Sequence, residues 1–314
     1  MKSSNISARQ IHLGIAFDQN YIRHFYALFT SILENNIDNN IYVHAIITGV
    51  GEKEKKDIEK FATENQAVIH FYEIDETYVK RFVLTNKWSS AVYYRLFFPL
   101  LVSENVSRIL YLDTDIIVNG DLHELFIADL GKYPVGAVYD NWVKTAPQLG
   151  IHDEGEYFNS GVLLINVPEW KKQCVSEKAF AYLEKYPERI MFVDQDALNA
   201  VLFQNWKKLD FRFNVLHSKI PVGMTKKEKA LFLKGKVIIH YTIDRPWKML
   251  CQHPYRHLYH QYLKKSPFDI KEVYDDFSYK NIPQFIKLRI IELYFNLPFF
   301  KTIWRRLKAT IACW

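Results

Sequence analysis

The chain predicts an α/β domain with a mostly parallel central sheet covered on both faces, and three observations carry that expectation. Short apolar runs alternate with segments of helical spacing over residues 11–241, the pattern of strand–helix–strand units. The 314 residues are 49% hydrophobic and 16% aromatic, enough for one large core or one core with an appendage. An apolar run over 107–112 ends in Asp113-Thr114-Asp115, and sheets of this kind bind ligands beyond the carboxyl ends of their strands.

Residues 11–17 form a first strand, short, apolar and bounded by Asp18-Gln19-Asn20. Residues 21–33 have helical spacing and end at Asn35-Asn36. A second strand over 41–47, a surface helix over 52–61 and a third strand over 68–72 follow. A less regular stretch runs to Ser90, then a helix over 94–100 leads to the 107–112 strand. Further strands are expected over 135–139, ending at Asp140, and over 161–166, preceded by Tyr157-Phe158-Asn159-Ser160. Helices over 170–184 and 195–203 precede a late strand over 236–241 that carries His240. A helix starting at Tyr255-Arg256-His257 closes the body near Phe268, and Asp275-Asp276 marks a polar break. The expected division is a body over 1–268 and a C-terminal region over 269–314. Asp18 and Asp113 both stand at strand ends, so the fold can bring them together.

Two carboxylates one residue apart at a buried strand tip need a cation, because unpaired buried charge is costly. Hard oxygen ligands suit Mg²⁺ or Mn²⁺, ions held by one or two carboxylates together with substrate phosphates. Ordinary turn chemistry is the bland alternative. A calcium-hand loop is excluded, since Ile117 and Val118 fall where that loop needs an oxygen ligand and a glycine. An Asp-nucleophile phosphatase also places its acid after an apolar strand. It would need that acid near the first strand, plus a downstream Lys and a further carboxylate pair, and Asp275-Asp276 follows no apolar strand.

The net charge of +6 is concentrated at one end. Residues 279–314 hold Lys280, Lys287, Arg289, Lys301, Arg305, Arg306 and Lys308 against Glu292, so the rest is nearly neutral. A nucleic-acid binder would carry basic charge on its folded body, and no nucleic-acid partner is expected. Three scattered cysteines, Cys174, Cys251 and Cys313, argue for a reducing compartment. The polar first ten residues show no signal segment, which makes a cytoplasmic location the expectation. The sequons at Asn5 and Asn105 carry no weight there. The tail interleaves Phe285, Ile286, Ile290, Ile291, Phe295, Phe299, Phe300, Ile303, Trp304 and Leu307 with basic residues. Charges interrupt each stretch before the about 18 apolar residues that span a bilayer. Such a segment is expected to lie in the headgroup plane of anionic lipid, on the cytoplasmic face of the inner membrane. Packing on the body or on a partner is the alternative.

Taken in order, several segments resemble glycosyltransferase family 8, which includes lipopolysaccharide galactosyl- and glucosyltransferases and glycogenin. They are Ile15-Ala16-Phe17-Asp18-Gln19-Asn20-Tyr21, Tyr94-Arg95-Leu96, Tyr111-Leu112-Asp113-Thr114-Asp115, Tyr157 through Asn166, Asp194-Gln195-Asp196-Ala197-Leu198-Asn199, and His240-Tyr241 followed by Pro246-Trp247. Five or six motifs in order are far more specific than one. The resemblance implies a single Rossmann-like, GT-A type nucleotide-sugar domain with a mixed, mostly parallel sheet, and a helical basic tail. It implies a retaining transfer of a hexose from a UDP-sugar to a glycan or glycolipid acceptor. By the same resemblance, Asp113, Asp115 and His240 are metal ligands. The imidazole favours Mn²⁺ over Mg²⁺ because it is the softer ligand. Ala16, Asp18, Asn20, Thr114 and Arg245 are nucleotide contacts. Arg95, Asp113, Asp140, Asn159, Asp194 and Gln195 are donor-sugar contacts, with Gln195 and Asp194 nearest the reacting carbon.

Each residue has an ordinary reading when taken alone. Arg95 could pair a surface acid, Asn159 could serve a turn, and His240 could be a satisfied core histidine. Asp194-Gln195-Asp196 could be the acidic first turn of a helix. The chain departs from the family between His240 and Pro246, where Thr242-Ile243-Asp244-Arg245 lacks a glycine and carries Arg for Lys. Both side chains are cationic, but their geometries differ. Cys251, His253, His257 and His260 fit no standard zinc spacing. A self-glucosylating primer and a non-catalytic nucleotide-sugar-binding protein are the remaining alternatives. The particular sugar, the linkage and the oligomeric state have no signal in the residues.

Overall fold

The computed structural model describes residues 9–79, 81, 82 and 90–296. The tail residues from Phe299 to Leu307, Cys313 and the sequon at Asn5 lie outside them. Ten strands occur among the described residues: β1 (Arg9–Asp18), β2 (Asn39–Thr48), β3 (Val68–Tyr72), β4 (Arg108–Leu112), β5 (Ile116–Val118), β6 (Val135–Tyr139), β7 (Phe158–Asn166), β8 (Lys207–Lys208), β9 (Val215–Leu216) and β10 (Ile238–His240). Seven form one sheet in the order β3-β2-β1-β4-β7-β6-β8, and three form a small sheet, β5-β10-β9. In the large sheet only the pairings of β7 with β4 and with β6 are antiparallel. The sheet is therefore mixed and mostly parallel, as expected.

β1 is central and shows why these residues form strands. Ile11, Leu13, Ile15 and Phe17 are buried in a core under helices Ile22–Asn35 and Glu52–Glu64. Ala16 on the opposite face, with Ile46 of β2, joins a second core that includes Phe98, Phe180, Ala197 and Leu198. A sheet buried on both faces needs near-continuous apolar strands, and β4 and β7 have them. The body closes with helix Arg256–Lys265, whose Tyr259 hydroxyl bonds His24 Nδ1 at 2.7 Å.

Three expected elements come out differently. The 94–100 helix is a 3₁₀ turn over Ser90–Leu96 followed by one α turn, Phe98–Leu101. The 170–184 helix is two, Val167–Lys172 and Val175–Lys185, because Cys174 adopts a left-handed φ of 51° between them. Asp275-Asp276 is a tie to the body rather than a break. Asp275 pairs Arg23 at 2.7 Å, its N–H donates to the Trp247 carbonyl at 3.0 Å, and Asp276 accepts from the Met249 N–H at 2.8 Å.

The last described element is helix Ile282–Asn296. Glu292 on it pairs with Arg256, and Arg289 donates to the Cys251 carbonyl at 2.7 Å. Ile286, Ile290 and Leu293, spaced i, i+4, i+7, are at least half exposed. Among the described residues no helix is long and apolar enough to cross a membrane.

Candidate active site

A cavity of about 430 Å³ opens beyond the carboxyl ends of β1, β4 and β10. Asp113 follows β4, and its N–H donates to the Gly161 carbonyl on β7 at 2.9 Å. Antiparallel pairing of β5 with β10 sets His240 opposite Ile116, and the Tyr241 N–H donates to the Asp115 carbonyl at 2.9 Å. Two short strands thus bring together side chains far apart in the chain. One ligand atom from each of Asp113, Asp115 and His240 lies within 4.8 Å of the others, the one such cluster among the described residues. His240 Nε2 faces Asp115 Oδ1 at 3.1 Å and Asp113 Oδ2 at 3.9 Å.

The residues present fit a divalent ion. Two carboxylates and an imidazole are a suitable oxygen–nitrogen set. Space for an ion is kept by a missing side chain: a Cβ on Gly161 would sit 2.3 Å from His240 Cε1 and 2.6 Å from Asp113 Oδ2.

Arg95, 5% exposed, is the counter-ion of the cavity floor. It bonds Asp113 Oδ1 at 2.9 Å and Asp194 Oδ2 at 3.0 Å, and reaches the Ser160 carbonyl at 2.5 Å. Burial alone would lower the pKa of Arg95, but Asp113 and Asp194 raise it instead. Asp194 is affected more by burial than by its partner: desolvation lifts its carboxyl to about 6 against the opposing pull of Arg95. Burial also acts to raise Asp115, yet His240 and Arg245 hold it below the ordinary carboxylate range.

The Asp140–Gln195 side of the cavity is a closed amide network. Asn159 Nδ2 donates to Asp140 Oδ2 and Gln195 Oε1, each at 3.2 Å. The Ser160 N–H donates to Gln195 Oε1 at 3.0 Å, which turns Gln195 Nε2 toward the Tyr157 hydroxyl and Asp140. The turn before Asp194 carries a β-branched residue, Val193, at φ 38°, an outlier that needs support. Asp196 supplies it, accepting from the Met191 and Phe192 N–H groups at 2.6 and 2.8 Å and from Tyr157 at 2.5 Å. Asp194-Gln195-Asp196 therefore divides its work, with two side chains at the cavity and one fastening the turn.

A family model described as "Glycosyl transferase family 8" matches residues 12–251. The chain belongs to glycosyltransferase family 8. It is 31% identical over 271 residues to General stress protein A of Bacillus subtilis, covering 82% of this chain and 95% of the relative. It is 32% identical over 278 residues to a Lipopolysaccharide 1,2-glucosyltransferase of Escherichia coli, covering 85% and 78%. The fold matches that of galactosyltransferase LgtC, solved with donor and acceptor sugar analogues, at TM-score 0.72 and 23% identity over 83% of this chain and 98% of that one. The GT-A type architecture expected from the motifs is the one observed.

In this family 8 glycosyltransferase every expected site residue lines the one cavity: Ala16, Asp18, Asn20, Arg95, Asp113, Thr114, Asp115, Asp140, Asn159, Asp194, Gln195, His240 and Arg245. Arg245, despite the altered loop, donates to the Tyr21 hydroxyl at 3.2 Å and approaches Asp115 Oδ2 at 3.7 Å. Four participants were not singled out from the sequence: Asn214, Ser160, Tyr111 and Tyr21. Ser160 and Tyr21 stand inside the quoted motifs, as does Tyr111, whose hydroxyl donates to Asp113 Oδ1 at 2.7 Å. Asn214 had no motif to mark it.

Two outcomes follow from this geometry. Gly161→Ala should keep the fold and weaken divalent-ion binding at least about tenfold, since its methyl meets two ligand side chains; electron paramagnetic resonance of free Mn²⁺ in the presence of UDP measures it. The folded state favours the neutral form of Asp194. That contribution is present in full below the ordinary carboxylate pKa and is lost as pH rises through about 6. Asp194→Asn should flatten the fall in stability between about pH 4 and 6, on the order of 2–3 kcal/mol, in denaturant unfolding series.

Proposed function

We propose that this protein is a retaining, metal-dependent hexosyltransferase that moves galactose or glucose from UDP to a cell-envelope glycan such as lipopolysaccharide core. The convergence of Asp113, Asp115 and His240 beside Arg95 and Arg245 in one cavity carries the reading. The lipopolysaccharide glucosyltransferase among its relatives supports the acceptor class.

Asp18 and Asn20 bind uracil and ribose, since carboxylate and amide groups can take the imide N–H and the hydroxyls. Arg245 faces the diphosphate. Arg95, Asp140, Asn159 and Gln195 hold the hexose over the triad. Mn²⁺, preferred over Mg²⁺ for its imidazole ligand, neutralises charge on the departing diphosphate when bound. Asp194 Oδ2 is committed to Arg95 and to the Ser160 hydroxyl at 2.9 Å, and both ends of the Gln195 amide are bonded. Neither is poised as a nucleophile. The acceptor hydroxyl therefore attacks C1 on the face UDP leaves. The C1–O bond to phosphate breaks with its electron pair going to UDP, and the hydroxyl proton passes to the released phosphate oxygen.

The C-terminal region is read as a peripheral attachment to anionic lipid at the cytoplasmic face of the inner membrane. The exposed stripe of Ile286, Ile290 and Leu293 beside basic residues supports it.

Hydrolysis of a nucleotide-sugar panel with Mn²⁺ should single out UDP-galactose or UDP-glucose. Asp113→Ala should lower turnover by about 10²–10³-fold, the scale of losing one transition-state stabiliser. Full turnover of that variant with chelator present, or a glycosyl adduct trapped on Asp194, would overturn the mechanism. For the tail, a chain ending before Tyr279 keeps both Asp275 and Asp276 and should no longer sediment with phosphatidylserine vesicles; equal binding of the shortened and full chains refutes the attachment.

A further inference from the structure

We infer that Asn214 is a positioning residue that presents His240 to the metal through Nε2. The inference rests on the metal reading of the Asp113–Asp115–His240 triad. Asn214 is fully buried, follows the 3₁₀ turn Phe211–Phe213 and directly precedes β9. β9 runs parallel to β10 with Leu216 paired to His240, so Asn214 enters from the neighbouring strand. His240 Nδ1 lies 3.0 Å from Asn214 Oδ1.

The direction of each hydrogen bond follows from one group that can only donate. The backbone N–H of Gly161 points at Asn159 Oδ1, at 3.1 Å. That fixes the Asn159 carbonyl, as does the opposite end of its amide, which faces the carboxylate of Asp140. The same Asn159 oxygen accepts from Asn214 Nδ2 at 2.9 Å. Turning the Asn214 amide over would set oxygen against oxygen there. Its own Oδ1 must therefore face His240, and an oxygen acceptor requires a proton on Nδ1. Nε2 is the nitrogen aimed between Asp113 and Asp115. The chain Gly161–Asn159–Asn214–His240 thus selects the tautomer a metal needs and holds the ring at its angle. Asn159 also bonds Asp140 and Gln195, so that side of the cavity and the imidazole ligand share one line of amides.

Mn²⁺ affinity, read by electron paramagnetic resonance with UDP present, tests this without turnover. Asn214→Ala should weaken Mn²⁺ by about 10–100-fold, the usual cost of losing the partner of a ligating histidine. Asn214→Asp keeps an oxygen toward Nδ1 but sets its second oxygen against Asn159 Oδ1, so its affinity should fall between the wild type and Asn214→Ala. Long-range ¹H–¹⁵N spectra of the wild type loaded with diamagnetic Mg²⁺ and UDP, where the ion rather than the Asp115 carboxylate faces Nε2, should show His240 protonated at Nδ1. Wild-type affinity in Asn214→Ala, alongside a loss in Asp113→Asn, would overturn the assignment while leaving the metal site standing. Undiminished binding in Asp113→Asn would instead remove the metal reading, and the inference with it. Should Asn214→Ala fail to fold, the wild-type spectrum decides, because a proton on Nε2 with Nδ1 bare contradicts the proposal.

Discussion

The guanidinium of Arg95 is the constraint around which the cavity is assembled. Asp113 and Asp194 approach the same floor from different elements, and two carboxylates there without a cation would carry a large desolvation penalty. A planar fork can meet both at once, at 2.9 and 3.0 Å, and still bond the β7 backbone at Ser160. A lysine would place one point of charge where three directions are used. The end of β4, the start of β7 and the start of helix Val193–Val201 are thereby fixed to one another before any ligand arrives. Preorganisation of this kind lets charged groups act on a substrate without first reorganising.

Much of the fold was legible because its strands are long and apolar. β1, β3, β4, β6 and β10 announce themselves as apolar runs, and strand ends in a mostly parallel sheet are where ligands sit. Strands β5, β8 and β9, of two or three residues each, were not legible. β5 and β9 are too short to show a period, and their pairing with β10 is a tertiary event. Cys174 could not be foreseen as a helix break, since nothing about a cysteine marks a left-handed residue. Asn214 was invisible for a related reason. Among Phe211, Arg212, Phe213 and Val215, a single amide has the appearance of a turn residue. Its value lies wholly in the neighbours that folding supplies. Asp196 shows the opposite case. It was seen inside a motif, but its task of holding up a strained Val193 is a backbone matter that side-chain pattern does not reveal.

The segment carrying Arg245 lies between two sets of restraints. Toward the cavity, Arg245 meets Tyr21 and Asp115, and Trp247 stacks on His24 at 3.7 Å. On its outer side it is stitched to the last part of the described chain through Asp275, Asp276 and Arg289. The late residues therefore act as a buttress behind the Arg245 wall of the cavity. Stress applied at the far end of the polypeptide, by crowding, by a docking surface or by proteolytic clipping, has a short covalent and hydrogen-bonded route to the pocket. The late helix and the cavity wall are in this sense parts of one lever, and a chain cut short of Arg289 loses one of the ties behind Arg245.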